Sequence, residues 1–143
     1  MNLNHHDRQR AGLECTNCHT RIPLDRSLTG CPACGESLLE AVYDFGQMDI
    51  PAWLAQVKTR RANLWRYREV LPITDPANIV SLGEGGTPLI KSYALAASLG
   101  LKHLYIKDER QGPTGSFKDR QATVAISALK EMGVSELVVA STG

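Results

Sequence analysis

Four cysteines and one lysine are the residues of this chain whose types and settings could do chemistry. Cys15-Thr16-Asn17-Cys18 and Cys31-Pro32-Ala33-Cys34 are two C-x-x-C pairs with twelve residues between them. A two-residue gap lets both thiolates of a pair face one point from a tight turn. Two such turns brought together make a closed tetrahedral four-sulfur site, which suits zinc. A closed site has no open position for substrate, so the metal's role there is structural. The other reading is a redox pair or unligated thiols, which a lone C-x-x-C would favour more than two pairs at ribbon spacing. His19, beside Cys18, could replace a sulfur, although four cysteines already complete the shell. His5 and His6 could touch a metal, but adjacent histidines in a polar terminus are usually solvated. No cysteine follows Cys34. Clustering of this kind speaks for a metal site in a reducing compartment rather than a disulfide scaffold, and the cytoplasm is the expected location.

The lysine is Lys118, in Pro113-Thr114-Gly115-Ser116-Phe117-Lys118-Asp119-Arg120. A helix is predicted from about Ser116 to Met132, with Ser116 capping it by accepting a backbone N–H bond. Lys118 then falls in the first turn, where the positive end of the helix dipole disfavours a protonated amine by ~0.3–1 kcal/mol. For a structural lysine that is a defect. For a lysine that attacks a carbonyl it is useful, because the neutral amine is the nucleophile. The same terminus and the loop Gly112 to Gly115 can face an anionic ligand. Alternatively, Lys118 is a surface residue paired with Asp119 or with Asp108-Glu109; position alone leaves both readings standing.

The elements that must position these residues follow from local patterns. His19 to Gly30 can supply a short hairpin, and Ser37–Phe45 reads as a strand. Asp49-Ile50-Pro51 is a helix entry, leading to about Arg60 with Trp53, Leu54 and Val57 along one side. A short helix covers roughly Leu64 to Val70 and ends before Pro72. Arg60, Arg61, Arg66 and Arg68 read as a solvated face, and Trp65 and Tyr67 as packing residues. An irregular Gly/Pro-rich segment then precedes a helix over SYALAASLG, with Gly100 at its C-terminal end. His103–Lys107 reads as a strand and Glu136–Ser141 as a buried one. Strand, loop, helix and strand in that order predict a βαβ unit and a parallel sheet.

Composition excludes several classes. The chain has 143 residues, 43% of them hydrophobic and 22% charged, with a net charge of +1. That balance gives no support for a nucleic-acid or membrane-surface partner. Only Arg10, Arg21 and Arg26 lie near the cysteines, which is thin for a nucleic-acid-binding ribbon. No apolar run approaches the ~20 residues a bilayer span requires, and the charged start is not a secretory signal.

The strings Leu82-Gly83-Glu84-Gly85-Gly86-Thr87-Pro88-Leu89, Lys107-Asp108-Glu109 and Thr114-Gly115-Ser116-Phe117-Lys118-Asp119-Arg120 resemble, in this order, the pattern of the threonine synthases. Trp65-Arg66-Tyr67-Arg68 ahead of Leu71-Pro72 also looks like these enzymes, as does an N-terminal zinc ribbon, found in one branch of them. The resemblance covers Cys15 to Gly143. It implies an α/β fold of the tryptophan synthase β-like type, whose two domains hold pyridoxal 5'-phosphate between them. It also implies a small-molecule amino-acid substrate and conversion of O-phospho-L-homoserine and water to L-threonine and phosphate. A related β-replacing enzyme or a threonine/serine ammonia-lyase is the alternative activity. A zinc-ribbon binding module and a non-catalytic paralogue are the non-enzymatic alternatives.

By the same resemblance, Lys118 matches the cofactor-binding catalytic lysine. Ser141, Thr142 and Gly143 match the start of a loop that holds the substrate carboxylate. Arg120 could assist with phosphate, or pair with an acid such as Asp108. Gly112 stands where the family commonly has asparagine, and Gln121, where it commonly has glycine, places a bulky residue behind the lysine. The expected organisation is a disordered tail over 1–12, a zinc ribbon over 13–46, a helical linker over 47–80 and the start of the catalytic domain over 81–143. The family's glycine-rich phosphate loop and most of the second domain are absent from this stretch. It is therefore expected to be a truncated chain, inactive alone, with an open apolar edge at Val138-Val139-Ala140. Its oligomeric state is left open, a homodimer being one option.

Overall fold

A computed structural model describes residues 11–24, 29–46 and 48–140. Helix and strand are mixed along the chain. The first unit is a three-stranded antiparallel sheet of β1 (Ala11–Cys15), β2 (Arg21–Pro23) and β3 (Leu39–Tyr43), in the order β2-β1-β3. Leu13 lies opposite Ile22 on one side and Ala41 on the other. Its core is small: Cys15, Ile22 and Cys31 are buried, with Leu13 and Leu39 packed against them. So few apolar side chains cannot hold a sheet of this size alone, and the cysteines stand where a metal would staple it. The strand already includes Ala11 and Gly12, which the sequence reading gave to a tail; residues 1–10 of that tail, His5 and His6 among them, lie outside the described residues.

Helix α1 (Ile50–Thr59) starts as its sequence predicts, with the Asp49 carboxylate accepting from Ala52 N at 3.0 Å and Pro51 in the first turn. The following arginines are not all a solvated face. Arg60 is half-buried and donates to both oxygens of Glu69 at 2.7 Å. Arg66 donates to the carbonyl of Val57 at 2.6 Å, adding to the 3.3 Å bond that this carbonyl accepts from Arg60 N at the end of α1. Only Arg61 and Arg68 behave as expected. These bonds fold the 3-10 turn Leu64–Val70 back on α1, and Trp53 adds an indole N–H to Glu69 at 3.1 Å.

Helix α2 (Tyr93–Ser98) is closed by Gly100, whose φ of +67° suits glycine. Strands β4 (Leu89–Lys91) and β5 (Tyr105–Lys107) flank it and pair antiparallel, Ile90 opposite Ile106. This corrects the expected parallel sheet. Residues 136–140, predicted as its second strand, have no regular structure, and Val138 is 99% exposed. An apolar run becomes a strand only where a ladder partner meets its N–H and C=O groups. Among the described residues nothing brings one to this run.

Helix α3 (Lys118–Glu131) is the longest element. Its buried residues are Asp119, Thr123, Ser127 and Ala128, a polar face rather than an apolar stripe. That face is bonded to residues 74–87, the segment its sequence marks only as irregular. As α3 advances through Arg120, Thr123, Ser127 and Lys130, its partners recede through Thr87, Glu84, Val80 and Ala77. Both sides therefore step by three, four and three residues. At the far end Glu131 accepts from Thr74 N and Asp75 N, both at 3.0 Å, and from Asn78. No helix among the described residues is long and apolar enough to cross a membrane.

Candidate functional site

The four cysteine sulfurs lie within 4.8 Å of one another. Cys15 Sγ is 3.6 Å from Cys34 Sγ, and Cys18 Sγ is 3.6 Å from Cys31 Sγ. Four thiolates held at ~2.3 Å from one zinc would stand about 3.8 Å apart, so the donor set fits that ion in number, chemistry and spacing. Hydrogen bonds with Thr20 hold the Cys18 thiol down to about 6, which favours the thiolate a metal needs. His19 takes no place in the cluster. Its φ is +56°, and its Nδ1 lies 3.3 Å from Glu14 Oε1.

Around Lys118 the three motif strings meet through side chains. Ser116 Oγ accepts the Lys118 N–H at 3.2 Å, but the α-helix begins at Lys118 with Phe117 at its N-cap, so Ser116 closes the turn ahead of the helix instead of capping it as expected. Asp119 is buried and turned away from the lysine. Its carboxylate accepts from Thr114 N at 3.0 Å and from Thr114 Oγ1 at 2.5 Å, closing the glycine-rich loop. Asp108 is buried and held by Arg110 at 2.8 and 2.9 Å, with Gln111 adding a third bond. Arg110 and Gln111 keep the Asp108 carboxyl well below its usual range. Arg120 donates to Glu109 at 2.8 and 3.0 Å, not to Asp108 as the sequence suggested. That pairing, with the Thr87 hydroxyl at 2.7 Å, holds the Glu109 carboxyl down to about 2 and raises Arg120. Arg120 is thereby committed to an internal ion pair.

Glu84 lies deepest. It is fully buried and takes four neutral donors: Trp65 Nε1 and Thr123 Oγ1 at 2.7 Å on one oxygen, Leu82 N at 2.7 Å and Ser81 Oγ at 3.0 Å on the other. Burial pushes its pKa up, but these bonds, led by Thr123, outweigh it and leave the group below its ordinary value. Its backbone carbonyl also accepts from Leu64 N at 2.7 Å. That approach requires the two glycines that follow. A Cβ on Gly85 would come within 2.4 Å of Leu64 N, and one on Gly86 within 2.1 Å of Ala62 O.

Lys118 itself is exposed and makes no ion pair among the described residues. Its Nζ lies 5.8 Å from the centre of the Phe117 ring. Beside it a depression of about 410 Å³ runs between Ile106–Arg110 and Gly115–Phe117. A larger cavity of about 980 Å³ lies by α1 and Glu131 at the other end of α3, away from all three strings. A free amine at a helix start, beside an open depression, fits an aldehyde-bearing cofactor with an anionic group. Gln121, expected as a bulky residue behind the lysine, is exposed. At Gly112 a Cβ would stand 3.0 Å from Asp119 Oδ2, so the glycine gives that carboxylate room. Ser141, Thr142 and Gly143 lie outside the described residues. Sequence reasoning missed Glu84, Asp119 and Thr123 as organisers; a signal was available in α3 itself, whose Asp119, Thr123 and Ser127 recur at helical spacing.

Residues 80–143 match the family described as pyridoxal-phosphate dependent enzyme. Among curated relatives, the chain is 42% identical over 129 residues to a threonine synthase of Methanocaldococcus jannaschii, covering 90% of this chain and 31% of that protein. To a threonine synthase of Methanosarcina acetivorans it is 37% identical, covering 92% and 31%. To one of Halalkalibacterium halodurans it is 45% identical over 83 residues, covering 58% and 23%. The chain thus spans about a third of the length of the first two relatives, and the resemblance read from its motifs holds. No solved structure matches it.

Proposed function

We propose that this chain carries the lysine side of the cofactor site of a threonine synthase, with Lys118 as the residue that binds pyridoxal 5'-phosphate. One observation carries the reading. Each acid that could neutralise Lys118 as a surface residue is engaged elsewhere: Asp119 with Thr114, Asp108 with Arg110, and Glu109 with Arg120. The lysine is thereby left without an acidic partner among the described residues, at the helix end whose dipole suits a cation least. The relatives' names support the particular reaction, O-phospho-L-homoserine and water going to L-threonine and phosphate.

When bound, the cofactor supplies the electron sink for carbanion chemistry. Lys118 Nζ would hold it and is the group placed to move protons there. The helix start and the loop Gly112–Gly115 would offer N–H groups to an anionic moiety. Ser141, Thr142 and Gly143 take the substrate carboxylate. Cys15, Cys18, Cys31 and Cys34 hold a structural zinc that plays no part in the reaction.

The test uses protein made from the complete coding sequence. Borohydride fixation of pyridoxal phosphate should label Lys118, and Lys118→Ala should abolish the label and lower phosphate release from O-phosphohomoserine by at least about a thousandfold. Label on another lysine would refute the assignment. Ammonia released from serine or threonine, without phosphate release from the phosphorylated substrate, would move the activity to the ammonia-lyases.

A further inference from the structure

Lys118 has a long, flexible stem, so its placement at a reacting carbon depends on how firmly the backbone beneath it is held. It lies in the first turn of α3, where helices fray. The bonds that hold this turn come from the opposite side of the helix. At ~100° per residue, Asp119, Thr123, Ser127 and Arg120 centre on a face about 150° round from Lys118. Within that face Thr123 is the buried anchor. It is 2% exposed, and its single hydroxyl proton goes to Glu84 at 2.7 Å in preference to the carbonyls of Asp119 and Arg120 at 3.0 and 3.3 Å.

We propose that Glu84, through its bond to Thr123, is a positioning residue for Lys118. Glu84 gathers three separate pieces of chain on one carboxylate: the 3-10 turn through Trp65, the loop through Ser81 and Leu82, and α3 through Thr123. The donors demand an acceptor on both oxygens. One oxygen faces an indole N–H and a hydroxyl, the other an amide N–H and a hydroxyl. A glutamine has the right shape, but in either orientation its NH₂ confronts a nitrogen donor that cannot accept. The latch therefore needs the ionised acid, and it ties the lysine's helix to the glycine loop ahead of β4 and to the 3-10 turn.

This role rests on Lys118 being the cofactor lysine, and the test separates the two claims. Protein from the complete coding sequence is titrated with pyridoxal phosphate as parent, Thr123→Val, Thr123→Ser and Glu84→Gln, below each variant's melting transition. The readout is borohydride-fixed label on the Lys118 peptide, not turnover. Thr123→Val keeps the side-chain shape and removes the proton given to Glu84, and Thr123→Ser restores it. The latch predicts half-saturation for Thr123→Val about tenfold higher than the parent, in line with loss of a bond to a charged acceptor. Thr123→Ser should stay within about twofold of the parent. Glu84→Gln should move in the same direction as Thr123→Val, and it decides the matter if the valine variant does not fold. Parent-like fixation in both Thr123→Val and Glu84→Gln, with the label still on Lys118, overturns the latch alone. So does a serine variant as weak as the valine one. Label in the parent on a lysine other than Lys118, or none at all, overturns the cofactor assignment and the latch with it.

Discussion

The tightest prediction concerns Gly86, set against Gly83 three residues earlier in the same string. Both hold positive φ, +64° and +82°, so alanine at either position pays a left-handed backbone penalty of about 1–2 kcal/mol. The surroundings differ. A Cβ on Gly83 meets nothing within 4 Å, whereas one on Gly86 would sit 2.1 Å from the carbonyl oxygen of Ala62. No contact between carbon and oxygen survives at that distance, so the loop must retreat from Ala62–Leu64 by roughly 1 Å. The retreat strains the 2.7 Å bond from Leu64 N to the Glu84 carbonyl, which contributes about 1 kcal/mol while made and leaves a penalty of ~1–3 kcal/mol if buried and unmade. Gly86→Ala should therefore destabilise by about 3–5 kcal/mol and Gly83→Ala by about 1–2. With a urea slope of ~1–2 kcal/mol per molar, the two midpoints should differ by at least about 1 M. Trp65, which donates to Glu84, reports the transition by its emission. Midpoints for the two variants that agree within about 0.3 M, where the slope argument requires a clear gap, would refute the close approach.

The remaining predictions are shorter. Reduced protein should hold one zinc per chain, and Cys31→Ser or a strong chelator should remove it and collapse the amide dispersion of Ala11–Tyr43; an intact ribbon in metal-free reduced protein would sink the zinc reading. Acid should loosen the protein in a defined window. Glu69 and Glu109 are each depressed from 4.5 to about 2, the first by Arg60 bonds that outweigh burial and the second chiefly by Arg120. Groups lowered in the folded state add stability that is complete above about pH 4.5 and lost as pH falls toward 2. The difference in urea midpoint between parent and Glu109→Gln should accordingly shrink across that window, and a difference that stays constant from neutral pH to pH 2 would contradict the pairing. Lys118→Ala and the Thr123 and Glu84 variants complete the set.

What the sequence made legible was what neighbours in the chain decide among themselves. The C-x-x-C turns, the Asp49 cap with Pro51, Gly100 after α2 and the Ser116 bond ahead of Lys118 each depend on residues within a few positions. The segment from Pro72 to Pro88 read as irregular because its order comes from α3, through bonds such as Thr74 to Glu131 that span 57 residues. The parallel sheet was misread for a related reason. Apolar runs announce a strand but not its partner or direction, and β5 found β4 across α2 instead. Arg60 and Arg66 looked like solvated charges because the acceptors that draw them in, Glu69 and the Val57 carbonyl, lie nine residues away on another turn.

The polar face of α3 also explains why the acids of all three motif strings can leave the lysine alone. A helix buried on an apolar stripe is held by area, and apolar contacts tolerate repacking at modest cost. A helix held by directional bonds, here at 2.7–3.3 Å, has its rotation and register specified at each turn. Here the grip points are the motif residues: Glu84 and Thr87 from the first string, Glu109 from the second, Asp119 and Arg120 from the third. Each acid satisfies a donor on the facing segment, the loop or the helix, and each is thereby unavailable to Lys118. The same set of bonds that holds the helix leaves Lys118 without an acidic partner among the described residues. On the latch proposed above, loss of any one of these acids should therefore loosen the backbone beneath Lys118.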